Sequence, residues 1–345
     1  MIKITISEKI ITHAKNFPEK IAFKNKYITL TYQQLATSLQ QLASRLAVQT
    51  KKGDTIIVRL AKSHKQLIFL LAAAQAGLKC ILVEPERKTI DFDKLVTKTE
   101  PELIITKDFK LPKKSAPTPE IKTTDIFLGA LSSGTTGQSK ISWRDQQSWI
   151  QAFKYQSEIF NLSQNDNLLL TGSLVYTANL NNTFHLLFEG GSIFFAESKH
   201  PRNWVKMIKT DNITAIFMLP GHYRLLLKKL PKPLTQIKSL TSAGAKLNQA
   251  IVKKMQHFFP QAKIVEYYGA SELGHVSYAS VNDILTDKST IGKAFPEVKI
   301  EIKDGLIWVE SPYLAVDYRP QASAGDKGYL KNGQLYLTGR ADVTK

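Results

Sequence analysis

Apolar runs alternate with segments of helical periodicity along the first 110 residues of the chain. The run DTIIVRL at 54–60 is typical of a buried strand, whereas SHKQLIFLLAAAQAG at 63–77 predicts a helix. A further helix is predicted from Thr31, because Thr31 and Gln34 have the spacing of a capping box. Strands that alternate with helices in this way favour a parallel sheet covered by helices.

The same alternation resumes at DIFLGA, residues 125–130, and continues to about residue 275. The pattern then changes, since 299–311 and 328–340 each place a glycine-containing turn between β-rich runs, which predicts hairpins. We therefore predict an α/β fold with two wound α/β subdomains of mainly parallel sheets and a small antiparallel β subdomain, at residues 1–120, 121–280 and 281–340.

The composition of this 345-residue chain, 43% hydrophobic and 22% charged, is that of an ordinary globular protein. Its most apolar stretch, at 67–77, is too short to span a bilayer, and the N-terminus lacks the apolar core of a signal peptide. The single cysteine, Cys80, excludes a disulfide within the chain and is interpreted as a buried small hydrophobic residue. These features predict a cytoplasmic protein without a transmembrane segment.

The net charge of +18 raises the hypothesis of nucleic-acid binding. Only eight of the 47 basic residues are arginines, and the basic residues are scattered rather than clustered. Nucleic-acid-binding surfaces instead concentrate their basic residues on one face or helix. We therefore interpret the charge as a lysine-rich solvated surface that favours anionic small ligands such as nucleotides, and we expect no specific nucleic-acid partner.

The segment LSSGTTGQSK at 131–140 has the composition of a phosphate-binding loop, with five hydroxyl side chains, two glycines and one lysine. Small residues let backbone N–H groups face an anion, and hydroxyls and an ammonium add donors. A Walker-type loop requires the glycine and lysine to be adjacent and a helix to follow at once. Here two residues separate Gly137 from Lys140, and a short strand, ISWR, is predicted next.

Three more glycine-containing motifs follow this loop: LTSAGAKL at 240–247, EYYGASE at 266–272 and GDKGYLKNGQLYLTGRAD at 325–342. With the four motifs in this order, the chain resembles the adenylate-forming superfamily of acyl-CoA synthetases, peptide-synthetase adenylation domains and luciferases. Within it, the chain looks like the short bacterial fatty-acyl-CoA ligases. The resemblance implies that ATP and Mg²⁺ activate a carboxylic acid, fatty or aryl, to an acyl-adenylate, whose acyl group then passes to CoA or to a carrier-protein thiol.

The resemblance also implies the roles of the first motif. Lys140 is the candidate catalytic lysine of the phosphate loop, and Ser139 stands where the family often has proline. The expected loop residues are Ser132, Ser133, Gly134, Thr135, Thr136, Gly137 and Lys140.

By the same resemblance, Tyr268 is expected to lie against the adenine, and Gly269 is expected to bind both the nucleotide and the acid substrate. Ser271, in place of the usual threonine, donates to the α-phosphate, and Glu272 holds Mg²⁺, a cation that prefers oxygen ligands. Ser271 and Glu272 join Lys140 as the candidate catalytic residues. The alternatives are core packing for Tyr268 and a surface charge for Glu272.

Two further motifs contribute to the expected adenylate site. The backbone of Gly244 and Ala245 is expected to pass beside the adenine and the acyl carboxylate. Asp326 is expected to accept hydrogen bonds from the ribose hydroxyls, and Arg340 to donate to them, while Asp342 falls at the family's hinge. In isolation, each of these segments has the sequence of an ordinary tight turn.

The acyl pocket departs from the family pattern, because Tyr176 stands where a histidine is usual. Gly244 and Gly269 are the other expected substrate-binding residues. Residues 171–182 contain no Asp or Glu. A buried substrate ammonium needs a carboxylate partner, so this absence disfavours amino acids as substrates. His185 lies on an apolar face and is expected to be packed in the core.

The resemblance implies that residues 341–345 are the start of the hinge and that a C-terminal domain of roughly a hundred residues follows the hinge. We expect that domain to supply a second catalytic lysine and a lid, and the chain without it to turn over slowly. A second hypothesis is therefore a non-catalytic module that binds an acyl-adenylate or nucleotide.

Overall fold

The computed structural model describes residues 4–132 and 140–341 and has a mixed α/β architecture. The contacts divide the chain into two compact units, each formed by two segments. The first unit comprises Met1–Ile150 and Ser173–Gly190, and the second comprises Gln151–Gly172 and Gly191–Lys345.

The first unit contains a five-stranded sheet, a β-hairpin and helices. Its elements are α1 (Ile6–Asn16), β1 (Ile21–Lys24), β2 (Thr29–Thr31), α2 (Tyr32–Leu46), β3 (Thr55–Val58), α3 (Ser63–Gln75), β4 (Lys79–Leu82), α4 (Thr89–Thr99), β5 (Leu103–Ile105), β6 (Ile126–Ser132), β7 (Lys140–Asp145), the first residues of α5 (Gln147–Phe160) and, later in the chain, α6 (Thr177–Glu189).

The strand order of this sheet is β5-β3-β4-β6-β7. The first four strands are parallel, and β7 runs antiparallel to β6 at the edge. All four residues of β3 are buried, as expected for a parallel strand covered on both faces. The predicted capping box at Thr31 and Gln34 is confirmed at the start of α2.

The second unit contains a seven-membered run of strands and a smaller sheet. Its elements are β8 (Asn167–Thr171), β9 (Ser192–Ala196), α7 (Pro201–Thr210), β10 (Ala215–Phe217), α8 (Pro220–Leu227), β11 (Ser239–Ser242), α9 (Gln249–Phe258), β12 (Lys263–Ala270), β13 (Gly274–Ser280), α10 (Val281–Thr286), β14 (Lys293–Ala294), β15 (Lys299–Lys303), β16 (Leu306–Glu310), a 3-10 turn (Val316–Tyr318), β17 (Gln321–Ala322), β18 (Asp326–Lys331) and β19 (Gln334–Arg340).

Within the second unit, β9, β8, β10, β11 and β12 lie side by side and are parallel. Antiparallel β13 and β14 continue the sheet beyond β12. The ligand-binding edge of such a sheet is the one where its parallel strands end at their carboxyl termini.

The small sheet has the order β15-β16-β18-β19, with β17 paired to β16, and all of its pairs are antiparallel. Both predicted hairpins, β15–β16 and β18–β19, are therefore confirmed. Leu335 of this sheet is fully buried and packs in one cluster with Leu273 and Val276. That cluster joins the small sheet to the segment that carries the EYYGASE motif.

No helix among the described residues is both long and apolar enough to cross a membrane.

Candidate functional site

The parallel pairing of β11 and β12 brings two of the predicted motifs to one edge of the sheet. Ser242, the last residue of β11, pairs with Glu266 of β12. Gly244 and Tyr268 each lie two residues beyond this pair, so both follow it toward the carboxyl edge. Loops at such an edge are the usual ligand-binding segments of α/β sheets.

The turn after β11 requires glycine at its second position. Gly244 has a φ of 80°, and a Cβ there would lie 2.9 Å from the Cδ2 atom of Leu219. Both Gly244 and Ala245 are exposed. Their backbone is therefore accessible from solvent, as a backbone that binds a ligand must be.

Tyr268, Asp326 and Arg340 converge although they come from three different strands. The hydroxyl of Tyr268 donates to Oδ2 of Asp326 at 2.5 Å, and Nε of Arg340 donates to Oδ1 at 3.0 Å. Asp326 and Arg340 are brought opposite each other by the antiparallel register of β18 and β19. Three residues to which the resemblance gives roles at the nucleotide are therefore in contact with one another, while those roles stay predictions.

The carboxylate of Asp326 is buried, whereas the side chain of Arg340 is 63% exposed. Burial raises the pKa of Tyr268 well above its usual value, and the hydrogen bond and charge of Asp326 raise it further. Tyr268 therefore stays protonated and acts as a donor at physiological pH. The cluster joins an apolar ring, a buried acceptor and an exposed cation.

Ser271 and Glu272 lie in the turn between β12 and β13, and both are partly buried. The turn is closely packed at its base, because a Cβ on Gly269 would collide with the carbonyl oxygen of Gly274. The carbonyl of Glu272 accepts the backbone N–H of Ala315 at 2.9 Å. The hydrogen bond from Ala315 fixes the backbone of Glu272 close to the end of β12, the strand that carries Tyr268.

An ion pair between a buried carboxylate and a partly buried lysine lies beneath the turn after β11, and the sequence analysis missed it. Glu266 is 3% exposed, and its carboxylate accepts hydrogen bonds from the ammonium of Lys246 and from the backbone N–H of Leu247. Burial raises the pKa of Glu266, while the charge and hydrogen bond of Lys246 oppose that rise. The available signal was an acidic residue inside the apolar run AKIVEYYG.

The remaining predicted residues belong to the first unit. Ser132 and Lys140 are paired across β6 and β7, and Lys140 is exposed. Tyr176 is the N-cap of α6 and is 67% exposed. His185 and Cys80 are fully buried, as expected, and burial raises the pKa of the Cys80 thiol.

Several predicted residues fall outside the described part of the chain. They are Ser133, Gly134, Thr135, Thr136, Gly137, Ser139 and Asp342.

Within residues 4–132 and 140–341, no three His, Cys, Asp or Glu side chains are grouped so that they could hold a metal ion. Mg²⁺ in nucleotide sites is commonly held by one or two carboxylates together with substrate phosphates. A single carboxylate such as Glu272 has the donor chemistry that this mode of binding requires.

The sequence profile described as AMP-binding enzyme matches residues 11–128 and 107–315 of the chain. An uncharacterized acyl-CoA ligase of Bacillus subtilis (strain 168), YhfT, is 24% identical over 376 residues, which cover 98% of this chain and 78% of that protein. VraA of Staphylococcus epidermidis (strain RP62A), provisionally named a long chain fatty acid-CoA ligase, is 25% identical over 353 residues, which cover 97% of this chain and 76% of VraA.

Among solved structures, the o-succinylbenzoate coenzyme A synthetase MenE of Bacillus subtilis, in complex with ATP and magnesium ion, is similar in fold. The TM-score is 0.87 at 18% sequence identity, and the match covers 98% of this chain and 80% of MenE. The mixed α/β architecture with its antiparallel sheet is therefore that of adenylate-forming enzymes.

Proposed function

Because the chain belongs to the AMP-binding enzyme family, we propose that it uses ATP to activate a carboxylic acid as an acyl-adenylate and then passes the acyl group to the thiol of CoA. The observation that carries this proposal is the cluster of Tyr268, Asp326 and Arg340. It combines the three kinds of group that the nucleoside part of AMP requires.

Asp326 is the acceptor for the ribose in this proposal. An ionised carboxylate has about four lone-pair sites, of which Tyr268 and Arg340 occupy two. The remaining sites suit the two ribose hydroxyls. Arg340 is exposed and can donate to the same hydroxyls from its other nitrogens, while the ring of Tyr268 offers an apolar face to the adenine.

The proposed chemistry has two displacement steps. A carboxylate oxygen of the acid attacks the α-phosphorus of ATP, and pyrophosphate leaves with the electron pair of the broken P–O bond. The thiolate of CoA then attacks the acyl carbon, and AMP leaves. In the first step the chain must hold several anions together and stabilise developing negative charge.

By the family resemblance, Ser132 and Lys140 would donate to phosphate oxygens of ATP, and Ser271 would donate to the α-phosphate. Glu272 would hold Mg²⁺, which supplies charge neutralisation at the phosphate oxygens when it is bound. Gly244 and Ala245 would present backbone to the adenine and the acyl carboxylate, and Gly269 and Tyr176 would contribute to the acyl side.

The proposed substrate is a fatty or aryl acid. The absence of Asp and Glu from residues 171–182 leaves no local partner for a substrate ammonium. The provisional name of VraA, a long chain fatty acid-CoA ligase, points in the same direction. A carrier-protein thiol is the alternative acceptor to CoA.

Pyrophosphate release tests the proposal when the chain is supplied with ATP, Mg²⁺ and one acid at a time from a panel of fatty, aryl and amino acids. We expect release that depends on a fatty or aryl acid, and binding of a non-hydrolysable acyl-adenylate mimic. Binding of the mimic without release by any acid would favour the non-catalytic module. Failure to bind both the mimic and ATP would refute the proposal.

A further inference from the structure

We infer that Glu266 and Lys246 are positioning residues that set the spacing between the turn after β11 and the strand that carries Tyr268. The inference rests on the proposed function, because that spacing is then the width of the slot that receives the adenine of ATP. Neither residue is assigned a contact with the nucleotide itself.

One carboxylate holds two successive residues of the turn. The two oxygens of Glu266 accept separately, one from the backbone N–H of Leu247 and the other from the ammonium of Lys246. Both donors come directly after Gly244 and Ala245, whose backbone is exposed. The position of the exposed residues Gly244 and Ala245 is therefore fixed through Lys246 and Leu247, the two residues that follow them.

The other end of this link is the strand of the nucleotide cluster. Glu266 and Tyr268 are two residues apart on β12, and alternate residues of a strand point to the same face. Tyr268 is in turn held by Asp326. The turn is thus bonded to Glu266, the backbone of β12 connects Glu266 to Tyr268, and Tyr268 is bonded to the candidate ribose acceptor, Asp326.

Stability alone does not explain why a charged pair, rather than a pair of apolar residues, stands at these two positions. A buried ion pair can often be replaced by apolar residues without loss of stability, since desolvation of the charges offsets their attraction. Charge-assisted hydrogen bonds are, however, short and directional. A carboxylate bonded to a backbone N–H and to a lysine therefore restricts the turn more narrowly than apolar packing would.

The test compares ligands that do and do not contain adenosine. A misplacement of about 1 Å can slow a catalysed reaction by roughly 10²-fold, and we take this as the upper limit for the loss of AMP affinity when the turn is displaced. We expect Lys246→Met and Glu266→Gln each to weaken AMP binding between roughly 10- and 100-fold, with pyrophosphate affinity unchanged. The same variants should lose part of the preference for AMP over GMP, because a looser slot discriminates less between bases.

The single and double variants form a double-mutant cycle, in which calorimetry measures the affinity of each protein for AMP. If the two residues act as one link, the Lys246→Met/Glu266→Gln double variant should lose no more AMP affinity than either single variant. Lys246→Arg, which keeps the cation, should bind AMP nearly as the wild type does. Lys254→Met removes an exposed lysine of α9 and serves as the matched control.

The outcomes separate the inference from the proposed function. The inference alone is overturned if the wild type binds AMP and Lys246→Met binds it with the same affinity and the same preference for AMP over GMP. Equal losses for AMP and pyrophosphate also overturn it, because they indicate a general disturbance. If the wild type does not bind AMP, the proposed function fails and the inference with it. If Glu266→Gln does not fold, the Lys246 variants decide, since that side chain is 30% exposed.

Discussion

Two buried carboxylates of the second unit differ in what surrounds them. Glu266 is 3% exposed and Asp326 8% exposed, and each accepts two hydrogen bonds. The partners of Glu266 are consecutive residues of a single turn, one of them a backbone N–H. Those of Asp326 are two side chains from separate strands, and one of them, Arg340, is 63% exposed.

The burial of a carboxylate does not by itself decide whether it supports the structure or binds a ligand. A carboxylate bonded to backbone has a partner that cannot leave without moving the chain, so its removal should mainly affect structure. A carboxylate bonded to an exposed arginine can share its lone pairs with an incoming ligand. We therefore expect substitutions at Glu266 and Lys246 to lower stability strongly and, through the displaced turn, AMP affinity as well. Substitutions at Asp326 should lower ligand affinity with little loss of stability.

The largest expected effect follows from Lys246→Met, which leaves the buried carboxylate of Glu266 without its counter-charge. Removing one partner of a buried ion pair costs about 3 kcal/mol. We expect a decrease of that size in the free energy of unfolding at pH 8, measured by urea denaturation. Lys254→Met is the control and should change it little. An unchanged unfolding midpoint would mean that Lys246 contributes no net stabilisation to the carboxylate of Glu266.

The pH dependence of this loss has a defined sign. The pKa of Glu266 in the folded chain is raised above its usual 4.5, so the folded state favours the neutral acid, and removal of Lys246 raises it further. The loss in Lys246→Met should be smallest near pH 4.5 and should grow as the pH rises through the folded pKa. The Lys246→Met/Glu266→Gln double variant should lack this added pH dependence.

A smaller effect, and one on affinity, is expected from Asp326→Asn. We expect about a tenfold loss of AMP affinity, which corresponds to about 1.4 kcal/mol, and no change for pyrophosphate, which has no ribose. The stability loss should remain below about 1 kcal/mol, because the ion pair with Arg340 is solvent-exposed on one side. Calorimetry with both ligands provides the measurement.

Asp304→Asn, in the exposed β15–β16 turn, is the matched control for Asp326→Asn. Equal losses of AMP and pyrophosphate affinity in Asp326→Asn would show that Asp326 only supports the fold.

The smallest effect is expected from Tyr268→Phe, which keeps the ring and removes one donor to Asp326. The stability cost should be about 1 kcal/mol, the typical contribution of one hydrogen bond. AMP affinity should change much less than in Asp326→Asn, because the proposed contact with adenine is made by the ring. A loss of affinity as large as that of Asp326→Asn would mean that the hydroxyl orients the carboxylate for the ribose.

The parallel strands were predictable from the sequence because they are buried on both faces. The run at 54–60 contains β3, all of whose residues are buried. Strands β10 and β12 lie in the stretch from 125 to about 275 where the same alternation is predicted, and each has at least three consecutive buried residues. The hairpins of the small sheet were predictable from their glycine turns. In each case the signal lies within one short segment.

Other elements depend on partners far away in the sequence. Strand β13, GHVSYAS, has few apolar residues and exists through its antiparallel pairing with β12. Helix α1 does carry a local signal, the capping box of Thr5 and Glu8, which the sequence analysis did not use.

The residues of the candidate site also depend on partners far away in the sequence. Tyr268 and Asp326 are 58 residues apart, and their convergence was expected only from a family resemblance. The link between Lys246 and Glu266 spans 20 residues and depends on the register of β11 and β12, which no local pattern encodes. The roles of all these residues in binding and catalysis stay predictions.

The closely packed base of the β12–β13 turn has a consequence for redesign of the chain. A side chain at Gly269 would collide with the carbonyl of Gly274, and one at Gly274, whose φ is 72°, would approach Tyr313 to 2.7 Å. Libraries that diversify or lengthen this turn should therefore yield few folded members. Directed evolution toward new acids would do better to vary Tyr176, which is proposed to contribute to the acyl side and is largely exposed at the start of α6.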